Sequence, residues 1–310
     1  MAEPKFNLVI DSSCDLPFEV AHRPGITLLS LTYTDGTTER PDDLFESITP
    51  HELYESMRQG VMYSTSQVNI QTAQAAFEKL AEEGTPTLSV SFSSGISGTY
   101  ESCCVAQRAV QEKYPDFELY TVDALVGSTP LGVLIAELLR KRDEGMTARQ
   151  AYEWFLDARW HVQTLFMVED LDTLHHGGRI PASVAVAGTK LDVKPMLTFR
   201  LDGSLAVVKV VRGRKKGLRQ LAEFYLENRD PADLGSWAFI GNSDCAEDVE
   251  QVMKLIHADE KGKDATLTKM NIGAVIGCHV GPGMISISFF GPDRRNTKTF
   301  AKKVSGILRR

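Results

Sequence analysis

The sequence lacks the apolar segments that would place it in or direct it across a membrane. No apolar run approaches the roughly 18 residues that a membrane-spanning helix needs, and the run at 6–10 is far too short. The first residues do not combine a basic segment with a following apolar one, as a secretory signal peptide would. From these absences we expect a cytoplasmic protein.

Cysteine and net positive charge are also scarce. The five cysteines are odd in number and lack paired spacing, so they favour neither a disulfide framework nor a zinc site. The adjacent His175 and His176 have no obvious partner ligands, and we expect no metal site. The formal net charge of −7 argues against general binding of nucleic acid.

Several catalytic and nucleotide-binding motifs are missing as well. The sequence contains no GxxxxGK[ST], HExxH or GxSxG motif, and no GxGxxG follows its first predicted strand. Because no nucleotide-binding loop is recognisable, we expect no ATP chemistry from the chain alone. What the sequence does contain is the composition of an ordinary globular protein, with 43% hydrophobic and 24% charged residues.

The first half of the chain alternates predicted strands with predicted helices. Strands are predicted at 6–10, 26–33, 88–92 and 117–122, and helices follow them. This alternation is typical of a mostly parallel sheet covered by helices. We therefore predict an α/β fold whose N-terminal domain, residues 1–165, is Rossmann-like.

The pattern changes in the second half. Runs at 195–200 and 205–211 flank the turn Asp202-Gly203 and predict an antiparallel hairpin. A strand at 237–240 separates two predicted helices, and a terminal helix closes the chain. Residues 166–310 are therefore predicted to form an α+β domain with a mixed sheet.

Two polar loops carry hydroxyl groups just before predicted helices. The loop at 93–99 contains Ser97, and the loop at 64–68 contains Thr65. Backbone N–H groups at a helix N-terminus stabilise an anion, and hydroxyl groups can donate to one without adding charge. Taken alone, each loop is more simply explained by ordinary capping of the next helix.

Asp11 and His279 are two further candidates. Asp11 ends the first predicted strand, at the edge where open α/β sheets bind ligands, although it could simply cap the next turn. His279 is predicted to lie in a glycine-broken loop at 275–283, before a strand at 284–290. The alternative for His279 is a histidine whose nitrogens are satisfied by nearby carbonyl groups.

A basic segment at 212–219 contains Arg212 and Lys215 at the start of a predicted helix. Cations there oppose the helix dipole, so helix stability alone would not favour them. They could attract a phosphate or an acidic partner surface, or form a solvated basic face. Arg179, between two glycines and Ile180-Pro181, is a candidate for the same role.

Taken together, these residues resemble the DegV family of bacterial fatty-acid-binding proteins over essentially the whole chain. One family motif departs from its usual form, because Val68 stands where TSQP has proline. The residues that carry the resemblance are DSSCDL at 11–16, TSQ at 65–67, SGT at 97–99, GGRI at 177–180, Arg212 with Lys215 and Lys216, and His279 with GPG at 281–283.

The resemblance implies a non-enzymatic carrier that holds one long-chain fatty acid, such as palmitate, stearate or oleate, in a tunnel between its two domains. It implies that Thr65 and Ser97 hydrogen-bond the carboxylate, with His279 beside the head group. Arg179, Arg212 and Lys215 would form the surface that meets a separate ATP-dependent fatty-acid kinase, which makes acyl-phosphate. No cofactor is implied, and transient membrane contact is compatible with this function. A tunnel between domains of this size could bury roughly 14 to 18 carbons.

Two other functions use the same residues. Ser97, His279 and Asp11 are the residue types of a serine hydrolase triad, which would make the chain an enzyme acting on a lipid ester. Against this, Ser97 does not lie in a nucleophile elbow. The loop at 93–99, which is rich in serine and glycine, could also bind a sugar phosphate, although the usual phosphate-loop motif is missing.

Overall fold

The structure is a computed structural model that describes residues 4–181, 193–230 and 237–296. The predicted terminal helix lies outside these ranges. The described strands, in chain order, are β1 Asn7–Asp11, β2 Ile26–Leu29, β3 Thr32–Thr34, β4 Glu39–Pro41, β5 Ser64–Ser66, β6 Thr87–Ser91, β7 Leu119–Asp123, β8 Val162–Met167, β9 Val193–Phe199, β10 Leu205–Arg212, β11 Trp237–Asn242, β12 Thr266–Asn271 and β13 Ile285–Phe290. The described α-helices are α1 Phe18–Ala21, α2 Pro50–Arg58, α3 Ile70–Glu83, α4 Thr99–Lys113, α5 Thr129–Asp143, α6 Ala148–Ala158, α7 Asp172–His176, α8 Arg214–Asn228, α9 Ala246–His257 and α10 Ala274–Val280.

The first half of the chain builds a four-stranded sheet with the order β2-β1-β6-β7, and every pairing in it is parallel. Strands β1 and β6 are buried along their whole length, as expected for central strands packed on both faces. The Rossmann-like half predicted from the alternating pattern is confirmed.

The strand predicted at 26–33 is wrong as a single element. It is two strands, because β2 belongs to the parallel sheet whereas β3 joins a small antiparallel sheet with the order β4-β3-β5. Between them the amide of Leu31 donates to Ser12 Oγ at 3.1 Å. This side-chain contact occupies the amide at the point where the chain leaves the first sheet.

The second half builds a six-stranded mixed sheet with the order β10-β9-β8-β13-β11-β12. The predicted hairpin is confirmed as the antiparallel pair β9 and β10. Strand β12, which pairs parallel to β11 at the sheet edge, is not in the sequence prediction. Apolar and polar residues do not alternate regularly in this strand, and most of its residues are exposed, so its hydrophobic pattern does not predict a strand. The predicted domain boundary at residue 165 falls within β8 and stays a prediction.

Helix α5 joins the two halves. It is buried along most of its length and packs against β8, β11 and β13 of the mixed sheet. A Cβ on Gly132 of this helix would lie 2.6 Å from the Cys14 carbonyl oxygen and 3.5 Å from the Phe239 ring. Gly132 therefore permits close contact with both halves at once. One hydrophobic core accordingly includes residues of both sheets around α5.

Candidate functional site

A cavity lies between the two halves, beyond the carboxyl ends of strands β6 and β7. About 690 Å³ within the cavity and at its open mouth is free of protein atoms. Loops after the parallel strands form one wall, and the mixed sheet with α10 forms the other. Its lining is mainly apolar and includes Phe92, Ile96, Phe166, Phe199, Ile276 and Val280.

Thr65, Ser97 and His279, which the sequence placed in separate loops, all line this cavity. The Thr65 hydroxyl lies 2.8 Å from His279 Nε2. Ser97 Oγ accepts from the amide of Thr99 at 3.2 Å and lies 3.1 Å from the Thr99 hydroxyl. All three candidate residues are half-buried, which places them towards the mouth of the cavity.

The polar loop predicted around Thr65 is wrong in part, because residues Ser64–Ser66 form strand β5. Thr65 pairs with Tyr33 in the small antiparallel sheet. Gln67 then connects this strand to the Ser97 loop, since its Oε1 accepts from the Gly98 amide at 3.1 Å. The two hydroxyl-bearing segments are therefore held together by hydrogen bonds from backbone amides to side-chain oxygens.

The loop predicted around His279 is also wrong, because His279 lies in the last turn of helix α10. The β-branched residues and glycine of this segment give it little intrinsic helix propensity. Its first amides are instead satisfied from the other half of the chain. Asp15 Oδ1 accepts from the Gly273 amide at 2.8 Å, and Asp42 Oδ2 accepts from the Val275 amide at 2.9 Å.

The His279 imidazole is held in a tight position with one of its nitrogens buried. Burial, with smaller contributions from the nearby Arg179 and His176, lowers its pKa to about 4, so the ring is neutral at pH 7. Its Nδ1 atom is buried and has no hydrogen-bond partner among the described residues. Gly177 packs against the ring so closely that a Cβ there would overlap Nδ1.

Arg179 lies in the cavity wall beside this group. Its Nε donates to the Ile96 carbonyl at 3.1 Å, and its Nη1 donates to the Gly177 carbonyl. Burial lowers the pKa of the guanidinium. Among the described residues that line the cavity, Arg179 is the single arginine or lysine, and it sits next to the Ser97 loop.

Arg212 and Lys215 lie elsewhere, as exposed residues on either side of the start of α8. Arg214 between them is held in place. It forms an ion pair with Asp248 at 2.6 Å and donates through Nη2 to the Gly283 carbonyl at 2.7 Å. Gly283 is four residues beyond His279, so Arg214 ties the basic segment to the loop that follows the His279 helix.

The three residue types of a serine hydrolase do not form a triad here. Asp11 accepts from Ser13 and from the Phe92 amide, and it does not line the cavity. His279 contacts Thr65 and Ser97 contacts Thr99, and no hydrogen bond joins the three within the described chain. Burial raises the pKa of Asp11 to about 6. Its observed role is to cap the short turn at Ser12–Cys14.

Sequence reasoning missed Asp42 and the deep hydroxyl groups of Thr129, Thr164 and Ser286. Asp42 follows a short exposed strand, and the three hydroxyl residues lie on elements that the sequence indicates only as core. Partners distant in the chain give each of these residues its position, so no local pattern marks them. Within residues 4–181, 193–230 and 237–296, no group of three or more metal-ligating side chains comes together, and no helix has both the length and the hydrophobicity to cross a bilayer.

Comparisons with known proteins agree with this architecture. The family model described as an uncharacterised protein of the DegV family matches residues 5–291. A curated DegV domain-containing protein of Clostridium perfringens is 34% identical over 287 residues, which cover 93% of this chain and 98% of the relative.

Two solved structures are similar over nearly their whole length. A stearic acid-binding protein from Eubacterium ventriosum is 27% identical with a TM-score of 0.80, covering 92% of this chain and 98% of that one. The Fatty Acid Kinase (Fak) B3 protein of Streptococcus pneumoniae, loaded with linoleic acid, also has a TM-score of 0.80 and covers 93% of this chain and 100% of that one. At 17% identity, the second comparison establishes the fold only.

Proposed function

The chain belongs to the DegV family, and we propose on that premise that it binds one long-chain fatty acid in the cavity between its halves. The observation that carries this proposal is the position of Thr65, Ser97 and His279 together at the mouth of a mainly apolar cavity. A fatty acid has the matching polarity, with one charged end and a long apolar tail. Palmitate, stearate and oleate are the proposed ligands.

The head-group residues can bind a carboxylate without a formal ion pair to histidine. The neutral His279 ring carries one hydrogen, and we assign it to Nε2, which then donates to Thr65 Oγ1. This leaves the single hydroxyl hydrogen of Thr65 free to donate to the carboxylate. Ser97 supplies a second hydroxyl donor, and Arg179 supplies positive charge in the same wall.

The tail supplies most of the binding free energy. Each methylene removed from water contributes about 0.8 kcal/mol, so a long chain buried along Phe166, Phe199 and Ile276 provides affinity. The hydroxyl groups at the mouth then fix which end of the ligand faces outwards. This division is usual for pockets that hold apolar ligands.

We further propose that the protein presents its ligand to a separate ATP-dependent kinase and does not turn it over alone. The carboxylate would lie among half-buried residues near the mouth, within reach of a partner. On the partner, a carboxylate oxygen would attack the terminal phosphorus of ATP, giving acyl-phosphate and ADP. The exposed Arg212 and Lys215, which Arg214 ties to the loop that follows helix α10, are the proposed docking surface.

Native mass spectrometry of the purified protein tests the binding proposal. We expect one fatty acid per chain, identified after extraction, and uptake of added palmitate, stearate or oleate by delipidated protein. Protein that is always free of lipid and takes up none of the three would contradict the proposal. Acyl-phosphate made from ATP and fatty acid by the pure chain would contradict the carrier role.

A further inference from the structure

We propose that the hydroxyl groups of Thr129, Thr164 and Ser286 form a second polar site, deep in the cavity, that recognises an oxygen substituent on the acyl chain. The ligand class would then include hydroxy and oxo fatty acids. This inference rests on the proposed fatty-acid function and concerns the tail rather than the carboxylate.

The three hydroxyl residues are more completely buried than the head-group residues. Thr129, Thr164 and Ser286 line the same cavity and are 0%, 3% and 1% exposed. Thr65 and Ser97, in contrast, are half-buried. A ligand whose carboxylate lies at the mouth would therefore bring the middle or end of its tail to the deep hydroxyl groups.

The fold brings these groups together from three elements. Thr129 begins α5, Thr164 lies on β8 and Ser286 lies on β13. Gly241 on the neighbouring strand leaves the space they need, because a Cβ there would lie 2.5 Å from Thr129 Cγ2 and 2.6 Å from Ser286 Oγ. The hydroxyl groups thus occupy the centre of a sheet face where apolar side chains would be expected.

Together with Ser288, they form one chain of hydrogen bonds. Ser286 Oγ lies 3.0 Å from Thr129 Oγ1, which lies 2.9 Å from Ser288 Oγ, which lies 2.9 Å from Thr164 Oγ1. Four hydroxyl groups have four hydrogens, and three contacts use three of them. No other acceptor for these hydroxyl groups occurs among the described residues, so one hydrogen is left over.

The spare hydrogen can be presented to the cavity. Hydroxyl hydrogens rotate freely, so reorienting the chain moves the spare one to either end, at Thr164 or at Ser286. A buried donor without an acceptor is unfavourable, and an unsubstituted alkyl chain offers none. When the ligand carries an oxygen on the acyl carbon that lies beside these hydroxyl groups, that oxygen accepts the hydrogen. An oxygen on any other acyl carbon would face apolar side chains such as Phe166 and Phe199.

The test is a binding series on the delipidated full-length protein. It uses stearate and positional isomers of hydroxystearate and oxostearate in which the oxygen moves along the chain. We expect one position to bind within about threefold of stearate and the other positions at least about tenfold more weakly, since an unpaired buried oxygen is costly. The carbonyl stretching band of the matched oxostearate should also shift to lower frequency than that of mismatched isomers.

The triple variant Thr129→Val, Thr164→Val, Ser286→Ala removes the hydroxyl groups that face the cavity. In it, the affinity ratio of the matched isomer to stearate should fall about tenfold and the band shift should disappear. Thr198→Val is the control, because its buried hydroxyl donates to the Thr164 carbonyl and does not line the cavity. Should the triple variant fail to fold, the isomer series on the natural protein decides.

Three results are informative in different ways. Stearate binding with an equal penalty at every oxygen position would overturn the deep polar site and leave the proposed function intact. Failure of stearate and of every isomer to bind would overturn both. A matched position whose advantage persists in a folded triple variant would assign the recognition to other residues and overturn this inference.

Discussion

The Thr65 hydroxyl and His279 Nε2 lie 2.8 Å apart although 214 residues separate them in the chain. Thr65 is held by the small antiparallel sheet of the first half, and His279 by a helix attached to the second. The contact therefore exists only when the two halves are docked. It places the proposed carboxylate site at the junction where the cavity opens.

The first prediction is that Thr65→Val weakens fatty-acid binding while leaving the fold intact. Valine keeps the shape of threonine but removes the hydroxyl that we assign to the carboxylate. A lost hydrogen bond to a charged group should weaken stearate binding about 10- to 100-fold. Titration calorimetry on delipidated protein measures this. Ser64→Ala is the control, because Ser64 is exposed on the same strand and does not line the cavity. Equal affinities for Thr65→Val and the natural protein would contradict the assignment.

The second prediction concerns Gly177, whose missing side chain leaves room for the His279 ring. Gly177 has φ −71° and ψ −3°, so alanine fits its backbone conformation but not the space. We expect Gly177→Ala to weaken stearate binding as much as His279→Ala does, because it displaces the imidazole. The double variant should show little further loss, since both changes act on one contact. Additive losses in this cycle would show that Gly177 acts through something other than His279.

Much of the fold could be predicted from the sequence because its signals are local. Apart from the strand predicted at 26–33, the alternating strands and helices of the first half are confirmed, as is the hairpin around Asp202-Gly203. Helix α10 could not be predicted, since its sequence favours a loop and its amides are satisfied by Asp15 and Asp42 from far along the chain. Where distant side chains decide the local structure, local patterns fail.

The residues of the candidate site could likewise be predicted only in part. Thr65, Ser97 and His279 lie in short motifs that could be recognised, and the structure brings them to one cavity. Their roles in carboxylate binding stay predictions. Asp42 and the deep hydroxyl of Ser286 carry no motif, because their importance comes only from the groups that they contact.

The third prediction is that stability depends on pH through Asp42, which is fully buried. Burial raises the pKa of Asp42 from 3.8 to about 7, despite the amides that it accepts from. The folded state then binds a proton more tightly than the unfolded state. The resulting stabilisation is complete below about pH 4 and is lost as pH rises through about 7, by at most about 1.4 kcal/mol per pH unit.

Urea denaturation from pH 4.5 to 8 measures this effect in the natural protein and in Asp42→Asn. Asparagine cannot titrate, so the free energy of unfolding of the natural protein minus that of the variant should fall as pH rises and level off above about 7. A difference that is constant over this range, or that grows with pH, would show that Asp42 has no raised pKa. Asp15, whose pKa is raised to about 7 mainly by burial and to a smaller extent by Asp42, is present in both proteins.

The last prediction separates the lipid site from the proposed kinase surface. Arg212 is exposed at the end of edge strand β10 and does not line the cavity, whereas Arg214 anchors the same segment to the loop beyond His279. Replacing Arg212 with alanine should therefore leave stearate bound but lower acyl-phosphate formation with the cognate kinase. The loss should shrink as salt is added, because salt already screens attraction between exposed charges on two partners.

Arg108→Ala is the matched control, since Arg108 is an exposed arginine on α4 in the other half. Lipid occupancy by native mass spectrometry and kinase-coupled turnover are measured for both variants. An Arg212→Ala protein that loses its lipid would place Arg212 in the binding site, and one that supports full turnover at low salt would exclude it from the kinase surface.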